Sequence, residues 1–211
     1  METVIQQIKD CILSFDRDSI NVKVQEALDT GIAPQQILNE GMIAAMAEVG
    51  RLFEEGEFFV PEMLVAAKTM QNGMAFLKPH LAETGVKSAG KVVLGTVKGD
   101  LHDIGKNLVG LMLEGAGFEV MDLGIDVPAE KFVEAAQAGD VKIVGLSALL
   151  TTTMLNMKSA IDALKDAGLH GNVKVMVGGA PLTDAYAKEI GADGYATDAS
   201  RAVKLAKSLV V

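Results

Sequence analysis

The hydrophobic pattern of this 211-residue chain changes near residue 87, and this change limits what the chain can fold into. Before residue 87, apolar residues recur about one helical turn apart, as in the series Ile5, Ile8, Ile12 and Phe15. After residue 87, short β-branched runs alternate with helical segments, and 16 of the 22 glycines lie there. The pattern therefore predicts a helical domain, 1–86, followed by an α/β domain, 87–211. The small, polar stretch 83–90 suits the linker between them.

The first domain is predicted to be a small helical bundle. Two further apolar series with helical spacing run through residues 38–53 and 63–77, and the second is expected to stop near Pro79. Helix starts are expected at residues 18–19, 33–34 and 60–61, with proline as the first helical residue in the last two. Four or five helices joined by short turns fit these 80 or so residues.

The second domain is predicted to be a Rossmann-like, flavodoxin-like sheet of five parallel strands, doubly wound with helices on both faces. Strands are predicted at 91–97, 118–123, 141–147, 173–177 and 193–196, and helices at 104–114, 129–138, 154–167, 182–190 and 200–210. In such sheets, ligands bind beyond the carboxyl ends of the strands. The loops of interest are therefore 98–103, 123–128, 147–153, 178–181 and 196–199.

Composition excludes several classes of function. The net charge of −9 disfavours nucleic acid as a partner, because binding phosphates requires clustered Lys and Arg. One cysteine and three widely separated histidines exclude a Cys-rich zinc or iron–sulfur site and a HExxH pair. No apolar run reaches about 18 residues and the first residues lack a signal-peptide pattern, so we expect a cytoplasmic protein without a membrane segment.

The loop after the first predicted strand carries the most chemistry. It reads Gly99-Asp100-Leu101-His102-Asp103-Ile104-Gly105 and matches neither a GxGxxG fingerprint nor a phosphate-binding P-loop. Asp100 can accept a ring N–H of His102 and so fix its tautomer, while Asp103 can cap the next helix. Alternatively, both aspartates only cap the helix and His102 is solvated. One histidine cannot hold a free metal ion tightly, so a metal-binding role for His102 points to a haem or a corrinoid.

Three motifs in order resemble cobalamin-binding domains: Asp100-x-His102-x-x-Gly105, Ser147-x-Leu149 and Gly178-Gly179. Residues 96–109 resemble the corresponding stretch of cobalamin-dependent methionine synthase, and residues 37–80 resemble the helical cap of the same module. The resemblance covers nearly the whole chain. A separate module of this length is most similar to the corrinoid proteins of methanol, methylamine, betaine and methoxyaromatic methyltransferase systems.

The resemblance implies a role for each matching residue. His102 would be the lower axial ligand of cobalt, and Asp100 would hydrogen-bond it and continue the relay to Thr153, which stands where methionine synthase has serine. The rest of the 99–105 loop would also contact the cofactor. Ser147, Leu149, Thr151, Gly178, Gly179 and Ala199 would line its nucleotide tail or corrin rim. Phe53 and Val60 match residues that cover the upper face of the cofactor, although ordinary packing within the bundle also accounts for them.

The function implied is that of a methyl carrier rather than of an enzyme acting alone. A substrate-specific methyltransferase would load cob(I)alamin to give methylcobalamin, and a second methyltransferase would pass the methyl to tetrahydrofolate or to a thiol such as coenzyme M. A reductive activation protein is a further expected partner. Two alternatives are a cobalamin-dependent sensor and the cobalamin subunit of an adenosylcobalamin mutase; the helical cap favours methyl transfer.

Overall fold

The computed structural model of the chain describes residues 3–83, 88–169 and 171–210. The chain forms two compact units, Met1–Lys87 and Ser88–Val211, and each is described by itself. Residues 84–87 of the expected linker, and His170, lie outside the described residues.

The first unit is helical, as predicted. It contains α1 (Val4–Leu13), α2 (Ile20–Asp29), α3 (Pro34–Gln36), a π-helical segment (Ile37–Ile43), α4 (Ala44–Glu54) and α5 (Val60–Glu83). Its apolar series are buried against one another, with Ile8, Ile12 and Met63 fully enclosed. In the described residues, no helix has both the length and the hydrophobicity needed to cross a membrane.

The expected end of α5 near Pro79 is wrong, because the helix continues to Glu83. Proline removes one backbone hydrogen bond, but its fixed φ is helical. Leu77 and Leu81 lie on either side of Pro79, and both are buried. Their packing outweighs the single lost bond in the last turns of the helix.

The second unit confirms the predicted doubly wound sheet. The strands are β1 (Lys91–Thr96), β2 (Glu119–Asp122), β3 (Val141–Ser147), β4 (Lys174–Gly178) and β5 (Gly194–Ala196), all parallel in the order β2-β1-β3-β4-β5. The helices between and after them are α6 (Ile104–Gly115), α7 (Ala129–Gln137), α8 (Leu155–Asp166), α9 (Asp184–Ile190) and α10 (Ala199–Leu209). Each predicted element is present, with ends that differ by at most two residues.

The alternation of side chains along the strands buries both faces of the sheet. On β1, Val93 belongs to a core cluster with Phe132 of α7 and Met157 of α8, whereas Val92 packs with Leu113 of α6 on the other face. The strand order reverses between β1 and β3, where Thr96 pairs with Ser147 at the carboxyl edge. The loops that follow these two strands therefore lie side by side at the position where doubly wound sheets bind ligands.

Gly179 illustrates a packing requirement that the sequence motif does not reveal. Its φ is +139°, and a Cβ there would lie 1.8 Å from the carbonyl oxygen of Ala148. At Gly178, an added Cβ would come no closer than 3.4 Å to the Ala196 carbonyl. Position 179 thus requires glycine because of the neighbouring backbone of the protein, whether or not a ligand is bound.

We expect Gly179→Ala to destabilise the protein by about 1–3 kcal/mol from its backbone conformation alone, and further through the contact with Ala148. Gly178→Ala is the matched control and is expected to cost less than about 1 kcal/mol. Urea denaturation of the two variants measures the difference. Equal midpoints for the two variants would contradict this explanation.

Candidate functional site

The loop after β1 begins with a tight turn that sets the direction of the residues after it. The N–H of Asp100 donates to the carbonyl of Val97 at 3.1 Å, and Gly99 has a φ of +81°. The chain then passes over the carboxyl edge of the sheet before α6 begins at Ile104. The buried hydroxyl of Thr96 donates to the carbonyl oxygen of His102 at 3.0 Å, which ties the far end of the loop back to β1.

Asp100 is the centre of the hydrogen-bond network. Its side chain is fully buried, and Oδ1 accepts from the backbone N–H of His102 at 3.1 Å and lies 2.7 Å from Nδ1 of its ring. The other oxygen, Oδ2, accepts from the N–H groups of Leu149 and Leu150 at 2.8 and 3.3 Å, and from the hydroxyl of Thr153 at 2.5 Å. The carboxylate therefore joins the loop after β1 to the loop after β3.

These contacts keep Asp100 ionised. Burial by itself raises the pKa of the carboxyl group, but the hydrogen bonds from Thr153, Leu149 and His102 outweigh burial and hold the pKa well below its usual value. An ionised carboxylate only accepts hydrogen bonds. Nδ1 of His102 must then carry the proton that it shares with Asp100.

His102 is positioned to present one nitrogen outward. Half of its side-chain surface is exposed, and the bond between Nδ1 and Asp100 leaves Nε2 as the nitrogen available to a metal. Among the described residues, no group of three or more His, Cys, Asp or Glu side chains could hold a metal ion. The site therefore suits a metal that arrives with most of its ligands already in place.

The same edge of the sheet exposes six of the ten large apolar side chains that are exposed among the described residues. They come from the loops after β1, β2 and β3 and from the start of the helices that follow; they are Leu101, Ile104, Ile125, Leu149, Leu150 and Leu155. Ile104 and Leu101 are 80% and 66% exposed. Clustered exposed apolar residues mark binding surfaces. Here they fit a ligand with a broad apolar body, such as a macrocycle.

The remaining candidate residues of the second unit are placed as follows. Ser147 is partly buried at the end of β3, Thr151 is exposed, and Ala199 is buried at the start of α10. Gly105 lies in the first turn of α6, where no neighbour comes within 4 Å of an added Cβ. The roles of these residues toward a cofactor stay predictions.

The expected capping role of the Asp103 side chain is wrong. Asp103 occupies the position before α6, but its carboxylate makes no capping hydrogen bond. It accepts from the side-chain amide of Asn107 at 3.0 Å instead. The backbone at Asp103 has φ −128° and ψ −8°, outside the extended conformation from which a cap side chain usually reaches the helix N–H groups.

The two candidate residues of the helical unit differ in exposure. Phe53 is partly buried in α4, and Val60 is 39% exposed at the start of α5. Their neighbour Phe59 is 62% exposed. Their roles toward a ligand also stay predictions.

Three residues that support the site were not predicted. Asp126 accepts from the N–H of Gly99 at 2.6 Å, and the side-chain amide of Asn156 donates to the carbonyl of Lys98 at 2.8 Å. The buried ammonium of Lys106 binds the carboxylate of Asp122 at 2.5 Å and so joins the start of α6 to the end of β2. Asp126 lies in the loop 123–128, which the predicted sheet places beyond the carboxyl ends of the strands. The sequence gives no other indication of these residues.

We expect Thr153→Val to destabilise the protein by about 1.5–3 kcal/mol, because a buried carboxylate loses a hydroxyl donor. The pKa of Asp100 should rise in this variant, since that bond opposes the effect of burial. Thr153→Ser keeps the donor and loses one methyl group, worth about 0.8 kcal/mol. Urea denaturation of the two variants tests this order, and a Val variant as stable as the Ser variant would contradict it.

Comparisons with known proteins agree with the geometry. One B12 binding domain model matches residues 90–204, and a second model, also of a B12 binding domain, matches residues 4–78. Dimethylamine corrinoid protein 2 of Methanosarcina acetivorans is 46% identical over 211 residues, which cover 100% of this chain and 97% of that protein.

Two solved structures are similar over almost the whole chain. A cobalamin-binding protein from Desulfitobacterium hafniense has a TM-score of 0.82 at 35% identity, with 97% of this chain and 98% of that one covered. The methanol:cobalamin methyltransferase complex MtaBC of Methanosarcina barkeri gives a TM-score of 0.86 at 31% identity, with 98% of this chain and 79% of the matched chain covered.

Proposed function

Because the chain belongs to the cobalamin-binding corrinoid proteins of methyltransferase systems, we propose that it carries methyl groups taken from a methylamine, with His102 as the nitrogen ligand below cobalt. Cobalamin is its cofactor, and a methyltransferase is its partner. The observation that carries the ligand assignment is the contact between Asp100 and Nδ1 of His102, with the ring half exposed. When bound, cobalamin supplies a metal centre that accepts and gives up a methyl group.

The chain's own contribution begins with the tautomer of His102. Asp100 Oδ1 holds the proton on Nδ1, so the lone pair of Nε2 is free to act as a ligand. Leu149 N–H and the Thr153 hydroxyl keep Asp100 ionised, which makes the imidazole a better electron donor.

The other residues bind and shield the cofactor. The exposed apolar side chains at the carboxyl edge of the sheet would cover one face of the corrin, with Leu101 and Ile104 the most exposed of them. Ser147, Leu149 and Thr151 would line the path of the nucleotide tail, and Gly178 and Gly179 would leave room for it. The helical unit would act as a cap, with Phe53 and Val60 excluding water from the upper face.

Dimethylamine is the proposed source of the methyl group. The relative from Methanosarcina acetivorans is named for that substrate and aligns over the full length of this chain, which supports the assignment. We propose that the methyl passes on through a second methyltransferase to a thiol such as coenzyme M, or to tetrahydrofolate. A reductive activation protein would be a further partner. Methanol is the alternative methyl donor, because one of the similar solved structures is a methanol:cobalamin methyltransferase complex.

The proposed donor is tested by loading the protein with cobalamin under reducing conditions and mixing it with dimethylamine and a dimethylamine methyltransferase. We expect the visible absorption spectrum to change to that of the methylated cofactor. Matched reactions use trimethylamine or methanol with their own methyltransferases. Methylation by the methanol system alone would overturn the methylamine assignment, and methylation by none of them would overturn the carrier function.

A further inference from the structure

The central peptide group of the turn Val97–Asp100 can take either of the two orientations that distinguish turn types I and II. In a four-residue turn, type I and type II differ mainly by a flip of the central peptide, and type II requires a positive φ at the third residue. Gly99 is that third residue, and its φ is +81°. The central peptide joins Lys98 to Gly99, immediately before Asp100 and three residues before the ring of His102.

Both ends of this peptide are held by side chains from other loops. Its carbonyl oxygen, on Lys98, accepts from the side-chain amide of Asn156 at 2.8 Å. Its N–H, on Gly99, donates to Oδ1 of Asp126 at 2.6 Å. The backbone N–H of Asp126 also donates to the carbonyl of Asp100 at 3.0 Å. A flip of the peptide would break the first two bonds together.

Asp126 is itself held in an unfavourable conformation. Its φ is +53°, a region that non-glycine residues rarely occupy and that aspartate tolerates better than most. On one side of it, the N–H of Val127 donates to the carbonyl of Thr96 at 2.9 Å. On the other side, Gly124 accepts from the N–H of Thr96 at 3.0 Å. The loop after β2 is therefore fixed to the end of β1, and strain that persists at such a place calls for a functional reason.

We propose that Asp126 and Asn156 are positioning residues for the metal ligand. They hold the Lys98–Gly99 peptide in the type II orientation, which aims the carboxylate of Asp100 at Nδ1 of His102 and so fixes the direction of Nε2. Neither residue needs to touch the cofactor. This inference rests on the proposed role of His102 as ligand.

Three substitutions test which property of Asp126 and Asn156 holds the Lys98–Gly99 peptide. Asp126→Gly accepts the positive φ but removes the carboxylate, whereas Asp126→Asn keeps both tolerance of that φ and an oxygen acceptor. Asn156→Ala frees the carbonyl of Lys98. Asp193 offers a matched control, because it pairs with Val175 through the same two kinds of bond, at 2.7 and 2.8 Å, at the amino edge of the sheet. The control variant is Asp193→Gly.

Two measurements read the turn and the ligand separately. Amide hydrogen exchange of Gly99 in the cofactor-free protein should accelerate at least about tenfold in Asp126→Gly, as expected for loss of a hydrogen bond to a charged acceptor. Electron paramagnetic resonance of the protein loaded with cobalt(II) cobalamin gives the fraction of molecules in which a nitrogen is an axial ligand of cobalt. That fraction should fall in Asp126→Gly and Asn156→Ala, and stay as in the wild type in Asp126→Asn and Asp193→Gly.

The outcomes distinguish this inference from the proposed function. A wild-type spectrum without axial nitrogen refutes the His102 assignment and, with it, this inference. If the wild type has axial nitrogen that His102→Ala loses, the assignment stands. An unchanged axial-nitrogen fraction in Asp126→Gly and Asn156→Ala would then overturn the positioning role alone, whether or not Gly99 exchanges faster.

Discussion

Replacing His102 with alanine is expected to abolish axial nitrogen coordination in the cobalamin-bound protein and to slow methyl transfer by more than a hundredfold. Removing residues that merely support a metal ligand costs about 10–100-fold, so loss of the ligand itself should cost more. No other histidine can substitute locally, because His102 is the one histidine in the loops at the carboxyl edge (97–103, 123–128, 147–154, 179–183 and 197–198), all within the described residues. The substituted protein should still bind cofactor through the apolar surface.

The measurement is the cobalt(II) resonance spectrum together with single-turnover methyl transfer. Free imidazole added to His102→Ala should restore part of the nitrogen signal, since the substitution leaves space for an imidazole ring. The matched control is His80→Ala, which removes a histidine of the helical unit whose ring lies 6.4 Å from that of Phe76. An axial nitrogen retained in His102→Ala and lost in His80→Ala would reverse the assignment.

The sheet was predictable because its signals are local and repeated. The three inner strands, β1, β3 and β4, are short β-branched runs with buried side chains on both faces, as in β3, where Val141, Ile143 and Val144 are all buried. Such runs alternate with helices, and because the connections in such units are short and right-handed, few sheet topologies are possible. The hydrogen bond between Asp100 and the ring of His102 was also predictable. Two residues of one loop that are separated by a single position stay close in any fold.

The contacts that depend on tertiary structure were not predictable. Asp126 and Gly99 are 27 residues apart, and Asn156 and Lys98 are 58 residues apart, so their pairing exists only after β1, β2 and β3 are aligned. Asp103 has the residue type and position of a helix cap, but the local backbone turns its carboxylate to Asn107. Pro79 signals a helix end, but burial of Leu81 overrides that signal.

Replacing Asp100 with alanine is expected to destabilise the protein by about 3–5 kcal/mol, as when one partner of a buried ionic network is removed. The substitution leaves the N–H groups of Leu149 and Leu150 and the hydroxyl of Thr153 without their shared acceptor. It also releases the ring of His102, so the axial-nitrogen signal should weaken. Asp103→Ala, which removes one surface hydrogen bond, is the control and should cost no more than about 0.5 kcal/mol.

The pH dependence of the stability of Asp100→Asn separates the contribution of the Asp100 charge from that of the side chain's shape. The folded-state pKa of Asp100 is lowered, so its ionisation stabilises the wild type fully above the pKa of an unfolded aspartate, about 3.9. The Asn variant keeps the volume but not this titration. Urea denaturation from pH 7 to pH 3 should therefore give a constant advantage of the wild type down to about pH 4, because the protonation of Asp100 begins to matter only there. Below that pH, the advantage should shrink as the pH falls toward the folded-state pKa. An advantage that stays constant down to pH 3 would mean that the hydrogen bonds to Asp100 act through geometry alone and that its charge contributes nothing.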